Sequence, residues 1–91
     1  MKYRRRPGIV DAVLYTEGKD GIAAVLRFCP QARLFPPRGY ETSPFFLIKT
    51  LEGNMELHVG EWIVRGIKGE YYPVKPDIFS ILYEAEEAPN A

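Results

Sequence analysis

Pro36, Pro37, Gly39 and Pro44 all fall within residues 31–44, and no long helix or strand can pass through them. Each proline removes a backbone donor and fixes its own φ, while glycine supplies no restraint of its own. The segment therefore reads as a loop, one able to cover a site. It divides the chain into an opening strand and helix on one side and a run of short strands on the other.

Before the loop, residues 9–15 (IVDAVLY) are apolar on both faces and interrupted only by Asp11, the pattern of a central strand or one covered on both sides. Residues 16–21 (TEGKDG) carry turn chemistry, with Asp20 a candidate N-cap. The spacing predicts a helix from Gly21 or Ile22 to Phe28, with Ile22, Val25, Leu26 and Phe28 or Cys29 sharing one face and Pro30 stopping it.

After the loop, residues 45–50 (FFLIKT) read as a strand and 51–54 (LEGN) as a turn. Met55, Leu57 and Val59 then alternate with Glu56 and His58, completing a hairpin. Gly60-Glu61 and Lys68-Gly69-Glu70 turn the chain around strands at 62–67 (WIVRGI) and 71–74. Pro76 suits the first turn of a short helix near 76–79, after which 80–84 are expected to return as a strand.

The expected fold is α+β: a small antiparallel β-meander or partly closed barrel with a helix near residues 21–28 and a helical turn near 76–79. A chain of 91 residues buries only about 60–65% of its unfolded surface. One domain over residues 1–85 is expected, with 86–91 a flexible tail. Such a thin core makes homo-oligomerisation an expected source of further burial.

Composition narrows the function classes. Twelve basic and twelve acidic residues cancel, which argues against a protein that holds nucleic acid by a broad positive field. The charges are unevenly placed, since Lys2, Arg4, Arg5 and Arg6 open the chain and Asp77, Glu84, Glu86 and Glu87 close it. The lone Cys29 has no internal disulfide partner, and no apolar stretch matches a signal-peptide core or a membrane span. The expectation is a cytoplasmic protein.

Two blocks carry a resemblance. Tyr3-Arg4-Arg5-Arg6-Pro7 leads into the strand at residues 9–15, and the chain closes on Gly60-Glu61-Trp62-Ile63, Arg65-Gly66, Gly69-Glu70-Tyr71-Tyr72-Pro73 and Lys75-Pro76-Asp77-Ile78-Phe79. This series resembles a group of small, mostly uncharacterised phage and prophage proteins that open on Tyr-Arg-Lys-Lys-Pro and close on Gly-Asp-Trp-Ile through Lys-Pro-Asp-Ile-Phe. The sequence departs from them in Glu61 for aspartate, Val74 for cysteine and Gly8 for an apolar residue. About half the chain takes part, and the proline-rich middle does not. The resemblance implies a phage setting, the cytoplasm of an infected bacterium and a non-enzymatic accessory role, but it brings no catalytic residues. Some phage proteins of this size blunt host defence by sequestering nucleotide signals.

The candidate site residues are cations set among rings. Arg65, Lys68, Tyr71, Tyr72 and Lys75 lie within one hairpin, the mixture that stacks a base and neutralises a phosphate. Alternation puts Tyr71 and Tyr72 on opposite faces, so at most one belongs to such a site. Gly66, Gly69 and Pro73 have structural reasons of their own to be there. Lys2, Arg4, Arg5 and Arg6 could grip phosphates, the arginines through their guanidinium forks; the leading reading of this run is that it edges the first strand and pairs with the acidic end. Trp62 reads as a buried anchor before it reads as a stacking platform.

No constellation reads as catalytic. Cys29 and His58 show no spacing that suggests a nucleophile pair, and His58 reads as a solvated strand residue. Two such ligands fall short of a structural zinc site, no phosphate loop precedes a helix, and Glu61 and Glu70 flank turns. No cofactor and no metal are expected. The leading expectation is a homo-oligomeric binding protein for a small anionic ligand, with a nucleotide the first candidate. The runner-up is a protein-binding module anchored by Phe45, Phe46 or Tyr40, and nucleic-acid binding through Arg4 to Arg6 ranks third.

Overall fold

The computed structural model describes residues 2–4 and 9–85. Arg5, Arg6 and the expected tail at 86–91 lie outside the described residues. The chain is an α+β fold of antiparallel sheets and two short helices, and its described strands do not close into a barrel.

The larger sheet runs in the order β7-β6-β2-β1-β8, built from Tyr71–Val74 (β7), Trp62–Arg65 (β6), Ile9–Leu14 (β2), Lys2–Arg4 (β1) and Glu84–Ala85 (β8). The smaller has the order β3-β4-β5, from Arg33–Phe35 (β3), Phe45–Thr50 (β4) and Gly53–Leu57 (β5). The strands are therefore not one continuous meander. The chain passes from one sheet to the other at Gly60, whose N–H donates to Tyr15 O at 2.8 Å while Tyr15 N–H donates to Glu61 O at 2.9 Å.

β2 reads as apolar on both faces because both are covered. Tyr15 and, partly, Val13 join Ile63 of β6 in a core closed by Val25 and Cys29 of α1 (Lys19–Phe28) and by Phe46, Ile48 and Leu57 of the smaller sheet. Val10 and Ala12 face the other way with Val64, against Phe79 of α2 (Pro76–Leu82) and Tyr83. The chain's two ends meet, as β1 pairs with β8 and sets Arg4 opposite Glu84 in register.

Several boundaries differ from the sequence reading. α1 begins at Lys19, and its N-cap is Gly18 at φ 97°, not Asp20, which sits in the first turn where its negative charge complements the positive end of the helix dipole. Leu26, expected on the buried face, is exposed. The proline-rich stretch contains β3, because Arg33, Leu34 and Phe35 find a ladder partner in β4. α2 runs on to Leu82 and absorbs most of the strand expected at 80–84. Phe79 and Tyr83, one helical turn apart, face the same core, so burial favours the 3.6-residue period over alternation. Phe45 and Phe46, read as exposed anchors, are buried, while Tyr40 is fully exposed. Among the described residues no helix is long and apolar enough to cross a membrane.

Candidate binding groove

Two tight turns come side by side at one end of β7. In the first, between β6 and β7, Gly66 N–H donates to Glu70 O at 2.7 Å and Gly69 N–H to Gly66 O at 3.0 Å. The Glu70 carboxylate folds back to accept the Lys68 N–H at 3.0 Å. In the second, between β4 and β5, the Thr50 hydroxyl donates to Gly53 O at 2.6 Å and accepts from Glu52 N–H at 3.1 Å. Both turns are pinned by their own short-range bonds, so their side chains project from fixed points.

Between them lies a hollow of about 300 Å³, walled by Thr50, Leu51, Glu52 and Met55 from the hairpin and by Glu70, Tyr71 and Tyr72 from the start of β7. Its charged lining is two carboxylates, and its remaining walls are mostly aromatic or apolar. That volume is at the small end of ligand sites. A bare anion inside would meet like charge, whereas a group bearing N–H donors would find acceptors.

The predicted site residues are distributed as follows. The register places Arg65 opposite both Asp11 and Tyr71. Arg65 Nη2 donates to Asp11 Oδ2 at 2.6 Å, and its guanidinium lies 5.4 Å from the Phe28 ring centre. The Asp11 bond foremost, and then Tyr71, push the Arg65 guanidinium further up from its ordinary range. Arg65 is thus engaged within the fold. Tyr71 donates its hydroxyl to Phe28 O at 2.9 Å and meets that ring edge-on. Tyr72 faces the opposite core, its hydroxyl 3.0 Å from that of Tyr83. Lys68 is exposed on the β6–β7 turn and Lys75 is exposed at the N-cap of α2. Arg4 lies on β1, separated from β6 by β2. Both tyrosines line the groove, against the expectation from alternation that at most one would, because the hollow wraps the first residues of β7; Arg65 does not line it.

A second cluster escaped the sequence reading. His58 has Glu56 Oε1 at 2.9 Å from Nε2 and Glu41 Oε2 at 3.4 Å from Nδ1, and it stacks on Phe45 with ring centres 5.4 Å apart. Arg38 bonds Glu56 at 2.8 Å and lies over the Phe45 ring, 4.2 Å from its centre. The Arg38 hydrogen bond, followed by that from His58, holds the Glu56 carboxyl below its usual range. The one available signal was that Glu56 and His58, two apart on an extended chain, share a face. Their partners come from a loop with no periodicity to read.

Cys29 is buried in the α1 core, and desolvation pushes its thiol up. Among the described residues, no group of three or more His, Cys, Asp or Glu side chains is arranged to hold a metal ion. The chain matches no family model, no curated protein and no solved structure.

Proposed function

We propose that this is a non-enzymatic binding protein that takes a small nucleotide base-first into the groove between the β4–β5 turn and β7. One observation carries the reading: two tyrosines and two carboxylates line a single hollow of about 300 Å³. Glutamate accepts hydrogen bonds from exocyclic amines of bases, and aromatic contact with a base contributes about 1–3 kcal/mol. The phosphate stays outside, away from Glu52 and Glu70, where Lys68 on the adjoining turn is free to meet it as a point charge. The anionic ligand expected from the sequence is retained, but the groove receives its base and not its phosphate. The resemblance to phage and prophage proteins supports a setting in which such binding sequesters a host immune signal, and a homo-oligomer would multiply the sites.

Titration calorimetry with cyclic and linear nucleotides tests this. Nucleotides of adenine, guanine and cytosine are expected to bind, and those of uracil, which lacks an exocyclic amine, about tenfold or more weakly. Glu52→Gln, on an exposed turn, should erase that preference. Failure of every nucleotide to bind at about millimolar concentration, some 4 kcal/mol of affinity, would sink the reading.

A protein-binding reading is favoured by a different observation. Ile78, Ile81 and Leu82 are exposed on α2, and side chains three and four apart share a helix face. A stoichiometric protein partner in a pull-down, lost in Ile81→Asp, would support it.

A further inference from the structure

Residues 36–44 cross the outer face of the β3–β4–β5 sheet and are tied there around one ring. His58, just past the end of β5, meets a carboxylate at each nitrogen, Glu56 from the strand on Nε2 and Glu41 from the crossing segment on Nδ1. Arg38 completes the arrangement from the segment side. Its Nη2 donates to Glu56 Oε1 at 2.8 Å, and its backbone N–H donates to Glu41 Oε1 at 3.1 Å.

Carboxylates only accept hydrogen bonds. A neutral imidazole offers one N–H and one bare lone pair, so it can satisfy one of the two, whereas imidazolium donates to both. We propose that His58 is the pin of a pH-sensitive clasp, closed when the ring is protonated and loosened when it is neutral. The segment it holds walls a hollow of about 310 Å³ through Glu41, Thr42 and Ser43, together with Glu17, His58 and Val59.

The geometry fixes which tie fails. Nε2 is nearer its carboxylate, at 2.9 Å against 3.4 Å for Nδ1, so the neutral ring keeps its proton toward Glu56. The Nδ1 lone pair then faces Glu41, which is left with the Arg38 backbone N–H and the Arg38 Nε at 3.8 Å. Glu56 keeps Arg38 and stays in place. Among the described residues, the charged groups around the ring are Glu56 from β5, Glu41 and Arg38 from the segment, and Glu17 from the β2–α1 turn across the hollow. Glu61 adds a carboxylate that accepts the His58 backbone N–H at 2.8 Å. The Glu41 tie is lost as the ring deprotonates, while the Arg38–Glu56 bond remains.

The chain has a single histidine, so its ring resonance in NMR is unambiguous. Spectra of the full chain, recorded across a pH series, follow that resonance. The amide resonances of residues 40–43 are expected to shift with the same midpoint as the ring resonance. In Glu41→Gln the ring still titrates but those amides no longer follow it, and in His58→Gln their pH dependence disappears. Amides that ignore the ring in the parent chain, or that still follow it in Glu41→Gln, overturn the clasp.

Discussion

Trp62, Phe79 and Tyr83 form a continuous stack on the α2 side of the larger sheet, with ring centres 4.1 Å and 4.8 Å apart at its two steps. Trp62→Ala removes one ring from that stack and leaves a gap between β6 and α2, at a cost of about 3 kcal/mol. Arg65→Ala should cost less, about 1 kcal/mol, because its ion pair with Asp11 is 41% and 27% exposed and water screens it. Urea denaturation of both variants checks the order, and a larger loss for Arg65→Ala would mean that this pair governs β6. The contrast also shows what single residues disclose. Trp62 was read as a buried anchor, because a large ring in an apolar strand has few other uses; it packs on Phe79 but is only half-buried, at the margin of that core. Arg65 was read as a ligand grip, because a cation among rings has the same local signature whether it faces a guest or an internal carboxylate. Asp11 was visible as the one break in an apolar run. Its partner lies 54 positions away and is fixed only by the β2–β6 register.

Elements follow local pattern until a long-range contact outweighs it, and α1 shows how large the outweighing effect is. Gly21 lies in the first turn of the helix, where alanine would ordinarily stabilise by about 1 kcal/mol. A Cβ there would fall 1.7 Å from the Thr16 backbone oxygen, and backbone cannot swing aside as a side-chain tip can. Gly21→Ala is therefore expected to destabilise by about 2–3 kcal/mol, the range of overpacked cores, with a lower thermal midpoint. A raised midpoint would show that α1 does not pack this closely on the end of β2. The same competition accounts for the misplaced elements. Nothing local marks Arg33, Leu34 and Phe35 as a strand between prolines, and they become one because β4 supplies the ladder. Residues 80–82 continue α2 because the helix delivers Phe79 and Tyr83 to one core. The groove shares this limit. Tyr71 and Tyr72 were candidates from sequence, at most one of them for a single site, while Glu52 and Glu70, ordinary turn residues by composition, reach the same hollow only where two turns from different sheets meet.

At the scale of the molecule the chain builds two cores on one sheet. Ile63 and Val64 are adjacent in β6, both fully buried, and they point into opposite cores. The α+β class was legible because alternation and helix-stop signals are local; the division into two sheets was not, because the change of sheet at Gly60 looks like any other hairpin turn. Sharing β2 and β6 has an energetic consequence. Loss of either core exposes one face of strands that the other core still needs, so neither should melt alone. The chain carries one reporter on each side, since Cys29 is fully buried on the α1 side and Trp62 packs on the α2 side, with a single cysteine and a single tryptophan in the sequence. Thiol labelling of Cys29 and fluorescence of Trp62, followed across urea, are expected to give the same midpoint. Burial raises the Cys29 thiol, which slows native-state labelling and makes the reagent read opening of the core. If Cys29 reacts at clearly lower urea than the fluorescence change, the α1 side opens as its own unit, and the shared strands do not couple the two halves.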